Sequence, residues 1–389
     1  MIQYASHHIT KSDCTAVEKV LRSKFLTQGP LVEKFELATA KFCQARFGVA
    51  TNSATSSLHT ACLALGVGKG DVVWTSPNTF VASANCAIYC GAEIDFVDIN
   101  STSYNICVEK LEAKLKSTRN PKKIPKVVIV VHYAGNPCNM QGVYRLGQQY
   151  GFKIIEDASH ALGASYIKKK VGCCEFSDIT VFSFHPCKMI TTGEGGMCVT
   201  NSKPIAEKLK LLRSHGIKQN TVDFNSLGSD ETFYYYQDIL GFNYRMSDIE
   251  AALGISQLRR IEYNVRKRTQ LVSNYNRILK KLPIITPQVD IDAQSSWHLY
   301  VVRLEKYRSK IRQQDLIKQL ALAGIQTNIH YIPVYRHPFY QRKGFPRNYC
   351  PEAENHFRNC LTLPLYVKLT KAQQLHITQV LTKIFDNYL

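Results

Sequence analysis

No stretch of the 389-residue chain stays apolar for the roughly 18 residues that a membrane-spanning helix requires. No CxxC pair occurs among the 13 cysteines, and no cysteine–histidine cluster has the spacing of a zinc site, so no metal site is expected. The odd cysteine count and the absence of paired spacings argue against a disulfide scaffold. Reduced, mostly buried thiols are expected instead. The N-terminal MIQYASHHITKSD lacks the basic segment and apolar stretch of a secretory signal, which makes a cytoplasmic location the expectation. There is no internal repeat or low-complexity tract. Acidic residues are scarce, 30 against 49 Lys and Arg, giving a formal charge of +19.

That excess asks what the protein attracts. Basic residues are dispersed in short groups such as KKIPK (122–126), IKKK (167–170) and RKR (266–268), with no helix-turn-helix, RNP or zinc-finger pattern. A positive field that draws in an anionic small substrate, such as a nucleotide diphosphate, fits as well as a nucleic-acid partner does. A basic surface with no specific partner is the plain alternative.

The pattern along the chain is an alternation. Apolar residues at helical spacing mark helices over 13–24 and 31–46 and another that includes Leu58, Cys62 and Leu65. Short β-rich runs follow: DVVWTS, AEIDFVDI, KVVIVVHY, FKIIEDA, DITVFSF and GMCVTN. Several are apolar throughout, as strands covered on both faces should be. Strands alternating with helices predict an α/β domain, a mostly parallel sheet flanked by helices. A capping-box spacing, Ser247 to Glu250, opens a helix that reads on through AALGISQLRRIEYNVRKRTQL. Beyond about residue 270, WHLYVVRL reads as a strand, QQDLIKQLALAG as a helix, IQTNIHYIPVY as strand and loop, and the final KAQQLHITQVLTKIFDNYL as a helix. We therefore expect a large domain over 1–269 and a smaller C-terminal α/β domain over 270–389. SLGSDETFYYYQD (226–238) reads as a long loop.

Four features carry chemistry. The run KIIED ends an apolar strand in Asp157, and His160 follows three residues later. Ligands in open α/β sheets sit beyond the carboxyl ends of strands, where a carboxylate can accept from a protonated heterocycle. A helix cap is the commoner use of such an Asp. In VFSFHPCKMITTGEGG a strand delivers Ser183 and a turn presents Lys188 ahead of a GEGG loop. A solvated surface lysine needs no such surroundings, whereas a Schiff-base amine needs a fixed position and a lowered pKa. Asn52 to Ser57, at a helix start, offers N–H groups and hydroxyls to a phosphate, and is otherwise a plain N-cap. Phe80, just past another strand end, offers a stacking face or a core contact. Together these describe the requirements of pyridoxal 5'-phosphate: phosphate cup, stacking ring, carboxylate and lysine.

In this order, the residues resemble the DegT-type sugar-nucleotide aminotransferases, a branch of the fold type I pyridoxal-phosphate-dependent transferases. The resemblance runs through LRSKFLTQGP, EDASHALGASY, VFSFHPCKMITTGEGG, GFNYRMSDIEAALGISQL and NIHYIPVY. SKFLTQGP, HYAG, SHALG, SFHxxK and IHYxPVY point to the branch that aminates C4 of a UDP-linked 4-keto-6-deoxy-N-acetylhexosamine in pseudaminic acid biosynthesis. Residues 75–83, TSPNTFVAS, depart from that branch's more usual PISFVAT form. The resemblance implies that Lys188 binds the cofactor aldehyde and shuttles protons, and that Asp157 partners the pyridinium nitrogen. It further implies that His160 lies near the ring oxygen, that Ser53, Ala54 and Ser183 hold the phosphate, and that Phe80 stacks. Asn243 would reach the phosphate in a neighbouring subunit, giving a homodimer with shared sites. Tyr4, Lys24, Phe25, Leu26, Thr27, His185, His330, Tyr331, Ile332 and Pro333 would line the sugar-nucleotide pocket, and L-glutamate would be the amino donor. A sugar 3-dehydratase of the same family would have histidine in place of Lys188. A non-catalytic regulator bound to nucleic acid would need a reading module that is absent, so neither nucleic acid nor membrane is expected as a partner.

Overall fold

A computed structural model describes residues 1–218, 235–305 and 307–388. The 226–238 loop read from the sequence lies mostly outside the described residues. Its last residues pair with the far side, Tyr236–Gln237 against Ile217–Lys218.

The centre is a seven-stranded sheet. Its strands are β1 (Phe47–Thr51), β2 (Val72–Thr75), β3 (Glu93–Phe96), β4 (Val127–Val131), β5 (Lys153–Asp157), β6 (Ile179–Ser183) and β7 (Gly196–Thr200). They lie in the order β1-β7-β6-β5-β4-β2-β3. β2, β3, β4, β5 and β6 pair in parallel, and β7 pairs antiparallel with both β6 and β1. β1 therefore runs in the same direction as β6. The sheet is mixed and mostly parallel, as the alternation predicts. Every residue of β2, β4 and β7 is buried, which accounts for their unbroken apolar character. β1 was not expected, because FGVAT carries no periodic signal; pairing with β7 makes it a strand.

Helices α1 (Lys11–Leu21), α2 (Pro30–Cys43) and α3 (Ala54–Ala64) precede the second strand. The helix expected from Ser247 is two helices, α4 (Asp248–Leu258) and α5 (Ile261–Leu279). The chain turns at Arg260, whose guanidinium donates to the buried Asp13 carboxylate at 2.7 Å and to Thr10. That long-range tie joins the turn between α4 and α5 to the start of α1. The Ser247–Glu250 capping box is present.

After α5 a three-stranded antiparallel sheet forms from Ile284–Ile285, Tyr300–Leu304 and Cys360–Leu363. Helices Gln313–Leu322 and Lys371–Asp386 and the second half of α5 share an apolar cluster with it, which includes Leu271, Tyr275, Leu316, Ile377 and Phe385. α5 is continuous through residues 269 and 270. The strand expected within IQTNIHYIPVY is reduced to isolated bridges, Ile2 with Ile325 and Asn328 with Thr362. All 13 cysteines are free, and most are buried. Among the described residues no helix is long and apolar enough to cross a membrane.

Phe35 of α2 ties the outer helices to the sheet edge where β6 ends. It is fully buried, its ring lies 5.1 Å from that of Phe184 just past β6, and it fills the notch left by Gly254 of α4. A side chain on Gly254 would stand 2.6 Å from the Phe35 ring. Phe35→Ala is expected to lower the unfolding free energy by about 3–5 kcal/mol. Chemical denaturation checks this, and a cost under about 1 kcal/mol would show that the contact is not structural.

Candidate active site

The shared direction of β1, β2, β4, β5 and β6 brings their carboxyl ends to one edge of the sheet. A cavity of about 450 Å³ opens there. Its wall includes Ser53, Ala54, Phe80, Asp157, His160, Ser183, His185 and Lys188 from the sheet edge, with Tyr4 from the N-terminal segment and Asn328, His330 and Tyr331 from farther along the chain.

Lys188 lies in a turn fixed from several sides. Its N–H donates to the His185 carbonyl at 2.9 Å, and Phe184 and Thr192 close the loop with backbone bonds to Gly195 and Phe184. Asn264 of α5 donates to the Met189 carbonyl at 3.1 Å. Gly193 supplies the left-handed corner, φ +89°. Lys188 is half-buried in the cavity wall, and its amine is largely desolvated. Desolvation lowers its pKa, and the neighbouring Cys187 and then the Asp157 carboxylate partly oppose that fall. The amine makes no ion pair among the described residues.

Asp157 is buried, and both of its oxygens are oriented. Ser83 Oγ donates to Oδ2 at 2.6 Å, and the Ser159 N–H donates to Oδ1 at 3.1 Å. Thr79 Oγ1 stands 2.7 Å from Ser83 Oγ and extends the chain of hydroxyls. Ser83 was not singled out from the sequence. It lies 74 residues from Asp157 and reads as an ordinary helix residue.

His160 sits beside this carboxylate. The Ala134 N–H donates to its Nδ1 at 3.2 Å, so the proton is on Nε2, which donates to the Tyr331 hydroxyl at 3.1 Å. Burial first, then Lys188 and His330, hold its pKa well below the usual histidine range. His330 is pushed down to about 3 by burial and by Lys188. Both imidazoles are neutral at physiological pH, which leaves Lys188 as the amine facing Asp157.

The helix α3 begins at the same edge. Ser53 caps it by accepting from the Ser56 N–H at 3.1 Å, and the first-turn N–H groups of Ala54 and Thr55 have no partner inside the helix. β7 lies close against this helix start because residue 196 is glycine. A Cβ there would fall 2.5 Å from the Ser53 carbonyl oxygen and 2.6 Å from the Ala54 nitrogen. The N–H groups and the helix dipole form an anion site facing the cavity. Enclosed lysine, oriented carboxylate and anion cradle on one wall fit the donor set that pyridoxal phosphate needs.

Other expected residues lie elsewhere within one chain. Asn243 bridges Ser214, and its carbonyl accepts from Asn52 Nδ2 at 3.4 Å. Thr27 pairs with Ser247, the Leu26 carbonyl accepts from the Asp248 N–H, and Lys24, Phe25, Ile332 and Pro333 are not in the cavity wall. Phe25 lines a separate and larger groove of about 800 Å³ between α1 and α4, with Ala16, Leu31 and Ile255. That groove holds no nucleophile–base pair, and its one carboxylate, Asp248, already accepts from the N–H groups of Gly29 and Leu31. The smaller cavity at the sheet edge carries the chemistry.

Comparison with known proteins agrees. The model of the DegT/DnrJ/EryC1/StrS aminotransferase family matches residues 7–382. A relative from Campylobacter jejuni (strain 81-176), UDP-4-amino-4,6-dideoxy-N-acetyl-beta-L-altrosamine transaminase, is 37% identical over 390 residues, covering 99% of this chain and 98% of its own. The spore coat polysaccharide biosynthesis protein SpsC of Bacillus subtilis is 35% identical, covering 95% and 93%. Among solved structures, Helicobacter pylori PseC, an aminotransferase involved in the biosynthesis of pseudoaminic acid, superposes with a TM-score of 0.88 at 31% identity and full coverage of both chains. The pyridoxamine-phosphate form of the Streptococcus pneumoniae putative sugar aminotransferase Spr1654 gives 0.90 at 27%, again with full coverage of both. The chain belongs to the DegT/DnrJ/EryC1/StrS aminotransferase family, and it is a sugar aminotransferase.

Proposed function

We propose that the protein uses pyridoxal 5'-phosphate to move the amino group of L-glutamate to C4 of a UDP-linked 4-keto-6-deoxy-N-acetylhexosamine, the step that serves pseudaminic acid (nonulosonate) biosynthesis. The observation that carries the catalytic part is the enclosed amine of Lys188 in one cavity with the Asp157 carboxylate and the start of α3. The substrate part is supported by the transaminase activity for which the Campylobacter relative is named and by the pathway in which the Helicobacter protein takes part.

When bound, the cofactor supplies an aldehyde that takes up the amino group and a ring that withdraws electrons from the carbon losing its proton. Lys188 would hold the aldehyde between turnovers, and once displaced its amine would carry the proton from carbon to carbon. A lowered pKa suits both tasks, since each needs the neutral amine. Asp157, oriented by Ser83 and Ser159, would accept from the ring N–H. Ser53, Ala54 and Ser183 would hold the phosphate, Phe80 would cover the ring, and His160 would sit by its oxygen. Tyr4, His185, His330 and Tyr331 would contact the substrate. The net charge of +19 favours a doubly phosphorylated sugar carrier over a neutral ligand.

Three further readings belong to the same proposal: a division into domains at 1–269 and 270–389, a homodimer with shared sites, and a cytoplasmic location. Asn243 and the 24–27 stretch stand outside the cavity of their own chain, so a role for them at the site requires a second subunit. A different nucleotide-linked keto-sugar is the alternative substrate. Incubation with candidate UDP-keto-sugars and glutamate, with the amino-sugar identified by NMR, decides between them.

Lys188→Ala is expected to retain the native circular dichroism spectrum, to lose the visible absorbance of the bound cofactor, and to lose at least roughly 10²–10⁴-fold in turnover. Turnover at the native rate would refute the assignment. The Asp157 charge raises the Lys188 pKa against the larger effect of burial. Asp157→Asn should therefore move the lysine's ionisation to lower pH. Acylation of Lys188 in cofactor-stripped protein, followed across pH by mass spectrometry, measures that midpoint; a midpoint unchanged or raised would contradict it.

A further inference from the structure

WHLYVVRL reads as one strand in the sequence, but the regular strand begins only at Tyr300. Three residues precede it, and two of them, His298 and Leu299, line the active-site cavity instead. Trp297 adopts a left-handed backbone, φ 55°, and the segment is bound down at every step. Ser295 Oγ donates to the Gly135 carbonyl at 2.9 Å, Ser296 Oγ donates to the His160 carbonyl at 2.7 Å, and the Leu299 N–H donates to Ala134. From α5, the buried Arg268 Nη1 donates to the carbonyls of Trp297 at 3.1 Å and His298 at 3.0 Å. A tryptophan held in that backbone region is costly, and residues so held concentrate at functional sites.

The side chain fixed by this arrangement is His298. It is 3% exposed, it lines the Lys188 cavity, and its ring centre lies 4.4 Å from that of His160. Its Nδ1 is buried without a hydrogen-bond partner. Its Nε2 makes no hydrogen bond either among the described residues, but unlike Nδ1 it is not closed off, so it is the nitrogen that faces the cavity. Burial, His160, Lys188 and Arg268 hold the ring neutral, with a pKa well below the usual histidine range. A neutral imidazole carries one N–H. Burying that N–H unpaired at Nδ1 would cost more than burying a lone pair there. The proton therefore resides on Nε2, on the side open to the cavity.

We propose that His298 is a substrate-binding residue, donating its Nε2–H to an oxygen of the bound substrate. Two substrate oxygens fit this chemistry, the carboxylate of the amino donor and an oxygen of the keto-sugar. Among the described residues the cavity wall contains no arginine, so neutral donors such as His298 carry more of the recognition. The inference rests on the aminotransferase reading of the site.

The test uses the cofactor-loaded protein and follows its absorbance in the two half-reactions separately, one with L-glutamate alone and one with the UDP-keto-sugar on the pyridoxamine form. His298→Phe keeps a flat ring and removes the donor, and His298→Gln keeps an N–H. His298→Phe is expected to raise half-saturation roughly 5- to 100-fold in one half-reaction, with a smaller change in its limiting rate, and His298→Gln to restore most of the loss. A rise for glutamate assigns the carboxylate, and a rise for the sugar nucleotide assigns the sugar oxygen. Unchanged half-saturation in both, in a variant with a native cofactor spectrum, overturns the proposal. A wild-type protein inactive in both half-reactions would instead overturn the aminotransferase reading. Should His298→Phe fail to fold, wild-type protein with 15N-labelled histidine gives a separate answer. The resonance lost in His298→Gln should show the Nε2–H tautomer and move on addition of substrate. A Nδ1–H tautomer, or no movement, counts against the assignment.

Discussion

Because β5 and β6 run side by side in parallel, with Asp157 opposite Val181, the carboxylate and Ser183 leave the sheet at the same edge. The turn that follows Ser183 then has only a few residues in which to present Lys188. The antiparallel β7 inserted between β6 and β1 restores the direction of β1, so the start of α3 meets the same edge. Carboxylate, amine and anion cradle are thus set by strand direction before any side-chain contact is made. Had β1 run the other way, the helix start would lie at the opposite end of the sheet, a strand length away.

On that frame, burial does the electrostatic work. The Lys188 amine is desolvated and its pKa falls, while the oriented Asp157 keeps a negative charge within influence. The histidines lining the same cavity at positions 160, 298 and 330 are forced neutral by burial, partly through Lys188 itself. Their neutrality matters, because protonated imidazoles around the lysine would repel a cationic amine and compete for the carboxylate. Neutral imidazoles and a single lysine amine beside the oriented Asp157 carboxylate suit chemistry in which one proton is moved repeatedly by one base.

The apolar runs VVIVV and GMCVT were legible as strands because covering both faces demands apolar residues throughout. Asp157, Ser183 and Lys188 were legible because each sits next to such a run. β1 was not, since an edge strand with glycine and threonine shows no period, and neither was the turn at Arg260, which depends on Asp13 at the other end of the sequence. Ser83 and His298 escaped for a related reason: their partners lie far away along the chain, and each sits inside a segment that reads as plain helix or strand. The adjacent serines before Trp297-His298 were the available hint, since two hydroxyls just ahead of an apolar run suit a turn better than a strand. The positions expected from resemblance alone, Asn243 and Lys24 to Thr27, are located away from the cavity of their own chain, and their part in the proposal depends on a second subunit.

The central claim is that Lys188 is the residue to which the cofactor attaches. Incubating the protein with pyridoxal phosphate, reducing with borohydride and sequencing the labelled peptide by mass spectrometry tests it directly. One stoichiometric phosphopyridoxyl group is expected, on Lys188, in a chain with many other lysines. Label spread over surface lysines, or placed on a different single lysine, would contradict it.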